Sequence, residues 1–175
     1  MQSVKIVIAG PFDAGKTTFI KSISEITVLS TERQVSDPSG RGGSETTVAM
    51  DFGRVTISDD IVLYLFGTPG QERFSFMWDT LSEGMLGFVV LFDGSSNTSV
   101  TEAQSMLEYF GRMAEVSYVV AANRVSPDDT DRLGHLRADL ALDAAVPLLA
   151  VDSRDRGSVK AVILTLLNEI LASLS

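Results

Sequence analysis

The stretch Gly10-Pro11-Phe12-Asp13-Ala14-Gly15-Lys16-Thr17 constrains this chain more than any other, because it fits G-x-x-x-x-G-K-[ST] and stands between a strand pattern and a helix pattern. Val4-Lys5-Ile6-Val7-Ile8-Ala9 before it is short, mostly apolar and β-branched, which predicts a buried strand. Phe19, Ile20, Ile23 and Ile26 after it are spaced as one face of a helix. Gly10 and Gly15 let the backbone curl, so that successive N–H groups across Asp13, Ala14, Gly15, Lys16, Thr17 and Thr18 point at phosphate oxygens. Lys16 then reaches the β- and γ-phosphates, Thr17 ligates Mg²⁺, and the helix N-terminus adds partial positive charge. A nucleoside phosphate is the expected ligand.

The rest of the chain fits one domain, 1–175, with enough residues to bury a core. No apolar run reaches the length of a membrane span, and no signal-peptide pattern opens the sequence. Cysteine is absent, which excludes disulfides, thiolate metal sites and prenylation, and makes a reducing cytoplasm the expected setting. Met1-Gln2-Ser3 lacks the glycine that myristoylation needs, so no lipid anchor is expected. A net charge of −9, spread along the chain, argues against nucleic acid and anionic membrane as partners.

Strand and helix patterns alternate nearly to the end, predicting an α/β fold: a six-stranded, mostly parallel sheet with one antiparallel edge strand and helices on both faces. Residues from about 27 to 46 lose periodicity, and Ser36-Asp37-Pro38-Ser39-Gly40-Arg41-Gly42-Gly43-Ser44 predicts a long functional or mobile loop. Val48–Val55 and Ile61–Phe66 read as a hairpin turning at Ser58-Asp59-Asp60. Further strands are expected at 86–92, 118–122 and 148–151. The spacing of Val100, Ala103, Met106, Leu107 and Phe110 predicts a helix, as does the stripe from Val159 to Leu171. A shorter helix is expected around Leu133, Leu136 and Leu140. Ligand belongs at the carboxyl ends of the strands.

Taken with Thr47-Val48-Ala49-Met50-Asp51-Phe52, Thr68-Pro69-Gly70-Gln71-Glu72-Arg73-Phe74 and Phe76-Met77-Trp78, the chain resembles a Ras-like small GTPase of the P-loop NTPase class over nearly its whole length. Leu65–Gln71 and Phe76–Trp78 are similar to the bacterial branch, the MglA-type and, more closely, the actinobacterial conservon GTPases. The resemblance implies a GTP/GDP switch with Mg²⁺ and slow hydrolysis. It implies Thr47 on Mg²⁺ and the γ-phosphate, the Gly70 N–H on the γ-phosphate, Gln71 orienting the attacking water, and Lys16 stabilising charge. Asn123 and Arg124 would bind the base side of the nucleotide, with Asp152-Ser153-Arg154 as the last family motif and Ser153 at its centre. A Roadblock/LC7-type regulatory partner is implied as well.

Three residues depart from the family pattern. Gly67 stands where most small GTPases carry the aspartate that holds Mg²⁺ through water, as also happens in the MglA branch. Phe12 replaces a loop glycine. Ser126 stands where a carboxylate accepts two hydrogen bonds from guanine, and Asp128 is the first candidate to replace it. A pseudo-GTPase scaffold and an ATP-using relative therefore stay open beside the switch. Asp51 reads as a residue of the strand surface rather than a metal ligand, Asp93 as a turn cap and His135 as a surface residue. The run Phe74, Phe76, Met77, Trp78 fits either core or a partner surface.

Overall fold

In a computed structural model the chain runs β1 (Gln2–Ala9), α1 (Lys16–Ile23), β2 (Leu29–Val35), β3 (Thr46–Ser58), β4 (Ile61–Gly67), α2 (Phe76–Ser82), β5 (Gly87–Asp93), α3 (Asn97–Met113), β6 (Ser117–Asn123), α4 (Thr130–Asp139), β7 (Leu148–Val151) and α5 (Arg156–Ser173). The structure describes residues 1–35, 46–70, 76–113 and 115–175, with side chains except at 30–35, 46–49 and 113. The strands form one sheet in the order β2-β3-β4-β1-β5-β6-β7. β1 pairs in parallel with β4 and β5, and β5, β6 and β7 continue in parallel. Among the described strands only β3 is reversed, against both β2 and β4.

The mostly parallel sheet with helices on both faces is the architecture expected from the sequence, and the reversed strand β3, expected at the edge, lies one place inside it. The additional strand is β2, which lies in the segment without periodicity and takes the edge outside β3. The ladder Thr31↔Met50 and Arg33↔Val48 fastens it to β3. Hydrophobic periodicity reports burial, whereas an edge strand needs only backbone pairing with one neighbour, so β2 leaves no apolar signal. The hairpin turn between Ser58 and Ile61 falls where expected.

Both sheet faces are buried. Ile6, Ile8, Leu63, Leu65, Val89 and Leu91 pack under α1 and α5, while Val7, Ala9, Phe88, Val90 and Phe92 pack under α2, α3 and α4. Alternate residues of each strand serve opposite faces, which is why β1 and β5 read as continuous apolar runs. The register brings Ile8 beside Gly67, Asp93 beside Asn123, and Asn123 beside Val151. The loops after β1, β4, β5, β6 and β7 therefore emerge along one edge of the sheet, where an α/β fold binds its ligand.

Candidate functional site

At the phosphate end the loop folds as its glycines require. Gly15 adopts φ 100° and opens α1, and no side chain caps that helix among the described residues. Its first N–H groups lack intrahelical partners and face the loop, an arrangement suited to an anion. A Cβ at Gly10 would lie 2.0 Å from the Leu91 carbonyl oxygen, so the loop leaves the sheet through a gap only glycine fits. Asp13 also takes the left-handed conformation, and Ala14 is buried beneath the loop. The Lys16 ammonium donates to the carbonyls of Gly10 and Pro11, at 2.6 Å each. Burial lowers its pKa to about 8, against the pull of Asp51, Glu102 and Asp13. A cation so confined, with two neutral carbonyls accepting its protons among the described residues, suits a phosphate ligand.

Thr17 Oγ1 donates to Asp51 Oδ2 at 2.5 Å. This corrects the reading of Asp51 as a strand-surface residue. Asp51 of β3 is paired in register with Gly67 of β4, and a Cβ at Gly67 would lie 3.3 Å from the Asp51 Cβ and 3.5 Å from its Oδ2. A carboxylate from the neighbouring strand thus occupies the space beside Gly67, where the resemblance to small GTPases leads one to expect a metal-holding aspartate. Thr17 and Asp51 present two hard oxygen donors side by side, a set that fits Mg²⁺.

Gly70 lies against the loop. A Cβ there would meet the Phe12 nitrogen at 2.3 Å and the Pro11 carbonyl carbon at 2.5 Å. The Phe12 side chain is 65% exposed, and with Gly70, Trp78 and Glu102 it borders a cavity of about 340 Å³ beside α3. Trp78 settles one half of the open aromatic question: it is core, stacked on Phe110 at 5.7 Å, and its Nε1 donates to the Pro69 carbonyl at 2.9 Å. Thr47 lies in β3 opposite Gln34. Its side chain, together with Arg41, Gln71 and Phe74, falls outside the described residues.

At the base end, Asn123 is the hub. Its Nδ2 donates to the Ala14 carbonyl at 3.0 Å, and its Oδ1 accepts from the backbone N–H groups of Arg124 at 3.1 Å and Ser153 at 3.3 Å. One buried amide thereby ties the phosphate loop to the loops after β6 and β7. Arg124, at φ 62°, donates to the Asp13 carbonyl and to Asp93. Asp93 also accepts from Ser95, as a turn cap should. These loops, with Gly15 and Thr18, line a cavity of about 610 Å³. Ser126 lines it too, whereas Asp128 does not appear in its wall. The Ser153 hydroxyl is buried there without a hydrogen-bond partner among the described residues. His135 sits exposed on α4, away from these loops.

The structure therefore gathers Gly10, Asp13, Ala14, Gly15, Lys16, Thr17, Thr18, Gly70, Asn123, Arg124 and Ser153 at one edge of the sheet. Sequence reasoning missed Asp51; the signal available was its alternation within β3, which places it on the same face as Gly53, next to α1. No helix is long and apolar enough to cross a membrane among the described residues.

A family described as "Conserved hypothetical ATP binding protein" matches residues 31–173, a span that begins after the glycine loop. The chain is 28% identical over 128 residues to the uncharacterized protein MJ1339 of Methanocaldococcus jannaschii, covering 73% of this chain and 74% of that one. It is 23% identical over 177 residues to the Ras-related protein Rab-8B of Homo sapiens, covering 98% and 80%. It is also 23% identical over 165 residues to the circularly permutated Ras protein 1 of Dictyostelium discoideum, covering 92% of this chain and 19% of that one. Homology with Ras-like small GTPases thus extends, at low identity, across the chain.

Proposed function

We propose that this chain, which belongs to the family described as conserved hypothetical ATP binding protein, is a nucleotide-dependent switch of the Ras type that binds GTP and GDP with Mg²⁺ and hydrolyses GTP slowly. The observation that supports this best is the convergence on one loop of Lys16, the Thr17–Asp51 pair, and Gly70 packed against Pro11 and Phe12.

Nucleotide phosphates are received by the N–H groups of the loop and the start of α1, and Lys16 exchanges its bonds to two neutral carbonyls for bonds to phosphate oxygens. When bound, Mg²⁺ neutralises the charge that grows on the β- and γ-phosphate oxygens during transfer. Thr17, Asp51 and Thr47 are the residues that would hold it. The Gly70 N–H meets the γ-phosphate. Gln71 orients a water that attacks the γ-phosphorus while the bond to the β–γ bridging oxygen breaks, releasing phosphate and GDP. Loss of the γ-phosphate removes the partner of Thr47 and Gly70 together, which frees both segments.

Slow turnover follows from the residues near the transferred group. Thr46 stands where MglA-type proteins carry an arginine, and the backbone of the exposed Phe12 lies against Gly70. Without an arginine finger a Ras-like domain turns over at roughly 10⁻⁴ s⁻¹. An ATP-using relative is the second reading, favoured by Ser126 at the guanine-reading position and by the family's description. The scaffold reading loses one of its supports, since Asp51 offers a carboxylate beside Gly67. The finer kinship with MglA-type and conservon GTPases, a Roadblock/LC7-type partner and a cytoplasmic setting rest on the fragments 65–71 and 76–78 and on the absence of cysteine.

Trp78 is the sole tryptophan and is bonded one residue before Gly70, so its emission reports on that segment. Emission that differs between the GDP form and a non-hydrolysable GTP form, with slow single-turnover hydrolysis, is the expected result. Identical emission in both forms, with no nucleotide released from the purified protein, would contradict a switch.

A further inference from the structure

We infer that Asp152 is the carboxylate that reads the nucleotide base, taking from the β7–α5 loop the part that position 126 gives up, and that it selects guanine. The inference rests on the switch reading above and deepens it at the base end.

Asn123 and Val151 are paired at the ends of β6 and β7, so residues 124–126 and 152–154 leave the sheet side by side. Ser126 and Asp152 line the same cavity, in which Asp152 is the only side-chain carboxylate among the described residues of its wall. The arrangement repeats what is seen at the phosphate end. There Gly67 lacks a carboxylate and Asp51, its partner on the adjacent strand, supplies one. Here Ser126 lacks it, and Asp152 on the adjacent loop has it.

The backbone of Asp152 is fixed: its N–H donates to Ser158 Oγ at 2.9 Å, and its carbonyl accepts from the Asp155 N–H at 3.0 Å. Hydrogen bonds from Arg154 hold the carboxyl below its usual range, so it is ionised at neutral pH. Oδ1 accepts from the Arg154 N–H and Nε, and Oδ2 accepts one bond from the same guanidinium at 3.3 Å. A carboxylate accepts about four bonds, which leaves room on Oδ2. The Arg154 side chain is 83% exposed, and such surface pairs hold weakly, so a base can displace it.

Guanine presents N1–H and N2–H₂ along one edge, two donors for a carboxylate, whereas adenine offers a lone pair at N1 and no amino group at C2. An anion in this wall therefore attracts one purine and repels the other.

The test is equilibrium binding of the Mg²⁺ forms of GDP, ADP and xanthosine diphosphate to the full chain. Wild type should prefer GDP over ADP. Asp152→Asn should weaken GDP by about tenfold to a hundredfold, the value of one charge-assisted bond, and leave ADP within about threefold, as base-independent contacts require. Xanthine carries an oxygen in place of the amino group, and an amide can accept from its N1–H and donate to that oxygen. Asp152→Asn should therefore bind xanthosine diphosphate more tightly than wild type does, a gain that a damaged fold cannot produce. Adding Ser126→Asp to Asp152→Asn should restore the preference for GDP. An unchanged GDP/ADP ratio in Asp152→Asn, an equal loss of both, or a wild type without guanine preference would overturn the inference. A wild type that binds none of the three would overturn the switch reading instead.

Discussion

The phosphate end and the base end of the site share one edge of the sheet, yet they are specified in different ways. At the phosphate end the shape of the loop falls to backbone. Gly10 passes a carbonyl that leaves no room for a Cβ, Gly15 turns at φ 100°, and the start of α1 supplies N–H groups. Such a device fixes its own residues, since no other side chain fits. At the base end the work falls to side chains, and a side chain can be supplied by any element that reaches the same space. Asn123 keeps its place because its amide serves three loops at once. Side-chain carboxylates at either end, by contrast, stand on neighbours of the expected positions: Asp51 beside Gly67 at the phosphate end, and Asp152 in the same wall as Ser126 at the base end.

If this contrast is right, the backbone device should tolerate the least change. Gly10→Ala drives a Cβ into the Leu91 carbonyl and should cost about 3 kcal/mol or more in thermal or denaturant unfolding. Nucleotide binding should be lost with it. A variant of wild-type stability and affinity would show that the loop has space to spare.

A relocated carboxylate should be replaceable from its original position. Asp51→Asn is expected to weaken nucleotide binding about tenfold to a hundredfold in Mg²⁺ and hardly at all in chelator. Asp51→Gly combined with Gly67→Asp frees the space the new side chain needs and should recover part of the loss. Titration of each variant with and without Mg²⁺ checks this. A loss of equal size in chelator would place Asp51 in the structure of β3 rather than at the ion.

Hydrolysis sharpens the comparison further, because the proposed function gives Gln71 a side-chain role and Gly70 a backbone one. Single-turnover assays should find the slow wild-type rate reduced by Gln71→Ala and unchanged or raised by Phe12→Gly. Fast turnover insensitive to Gln71→Ala would oppose the proposed site.

The smallest effect concerns Lys16. With a pKa of about 8 in the free protein, it is charged below that pH and neutral above it. Phosphate favours the charged form, so affinity should be flat below pH 8 and fall above it, with one proton taken up on binding in that upper range. Calorimetry in buffers of different ionisation heat measures the proton. The free protein should show the opposite trend in stability. Its folded pKa lies below the unfolded value of 10.5, so the unfolded chain binds more protons between the two and stability rises with pH there.

The same contrast explains what the sequence made legible. The glycine loop, the buried strands β1 and β5 and the helix α5 announce themselves, because glycine spacing and two-sided burial leave strong patterns. Asn123 and Arg124 are expected from their motif, and each bonds the phosphate loop, at Ala14 and Asp13. β2 escaped because edge pairing is a backbone matter that places little demand on composition. Asp51 escaped because a metal-side carboxylate was sought on β4, while strand adjacency, which places Asp51 opposite Gly67, is a property of the sheet. Asp152 escaped as a base reader for the same reason: its neighbourhood with Ser126 follows from the pairing of β6 with β7.

That this loop is the nucleotide site is tested most directly by titrating Mg²⁺-GDP and Mg²⁺-GTP into wild type and Lys16→Ala, with thermal unfolding of the free proteins alongside. The expected result is one nucleotide bound per wild-type chain and at least about a hundredfold weaker binding in the variant, the value of a lost charge-assisted contact. The free variant should unfold no earlier than wild type, since removing Lys16 also removes a buried ammonium. Equal affinity of the two proteins would contradict the assignment.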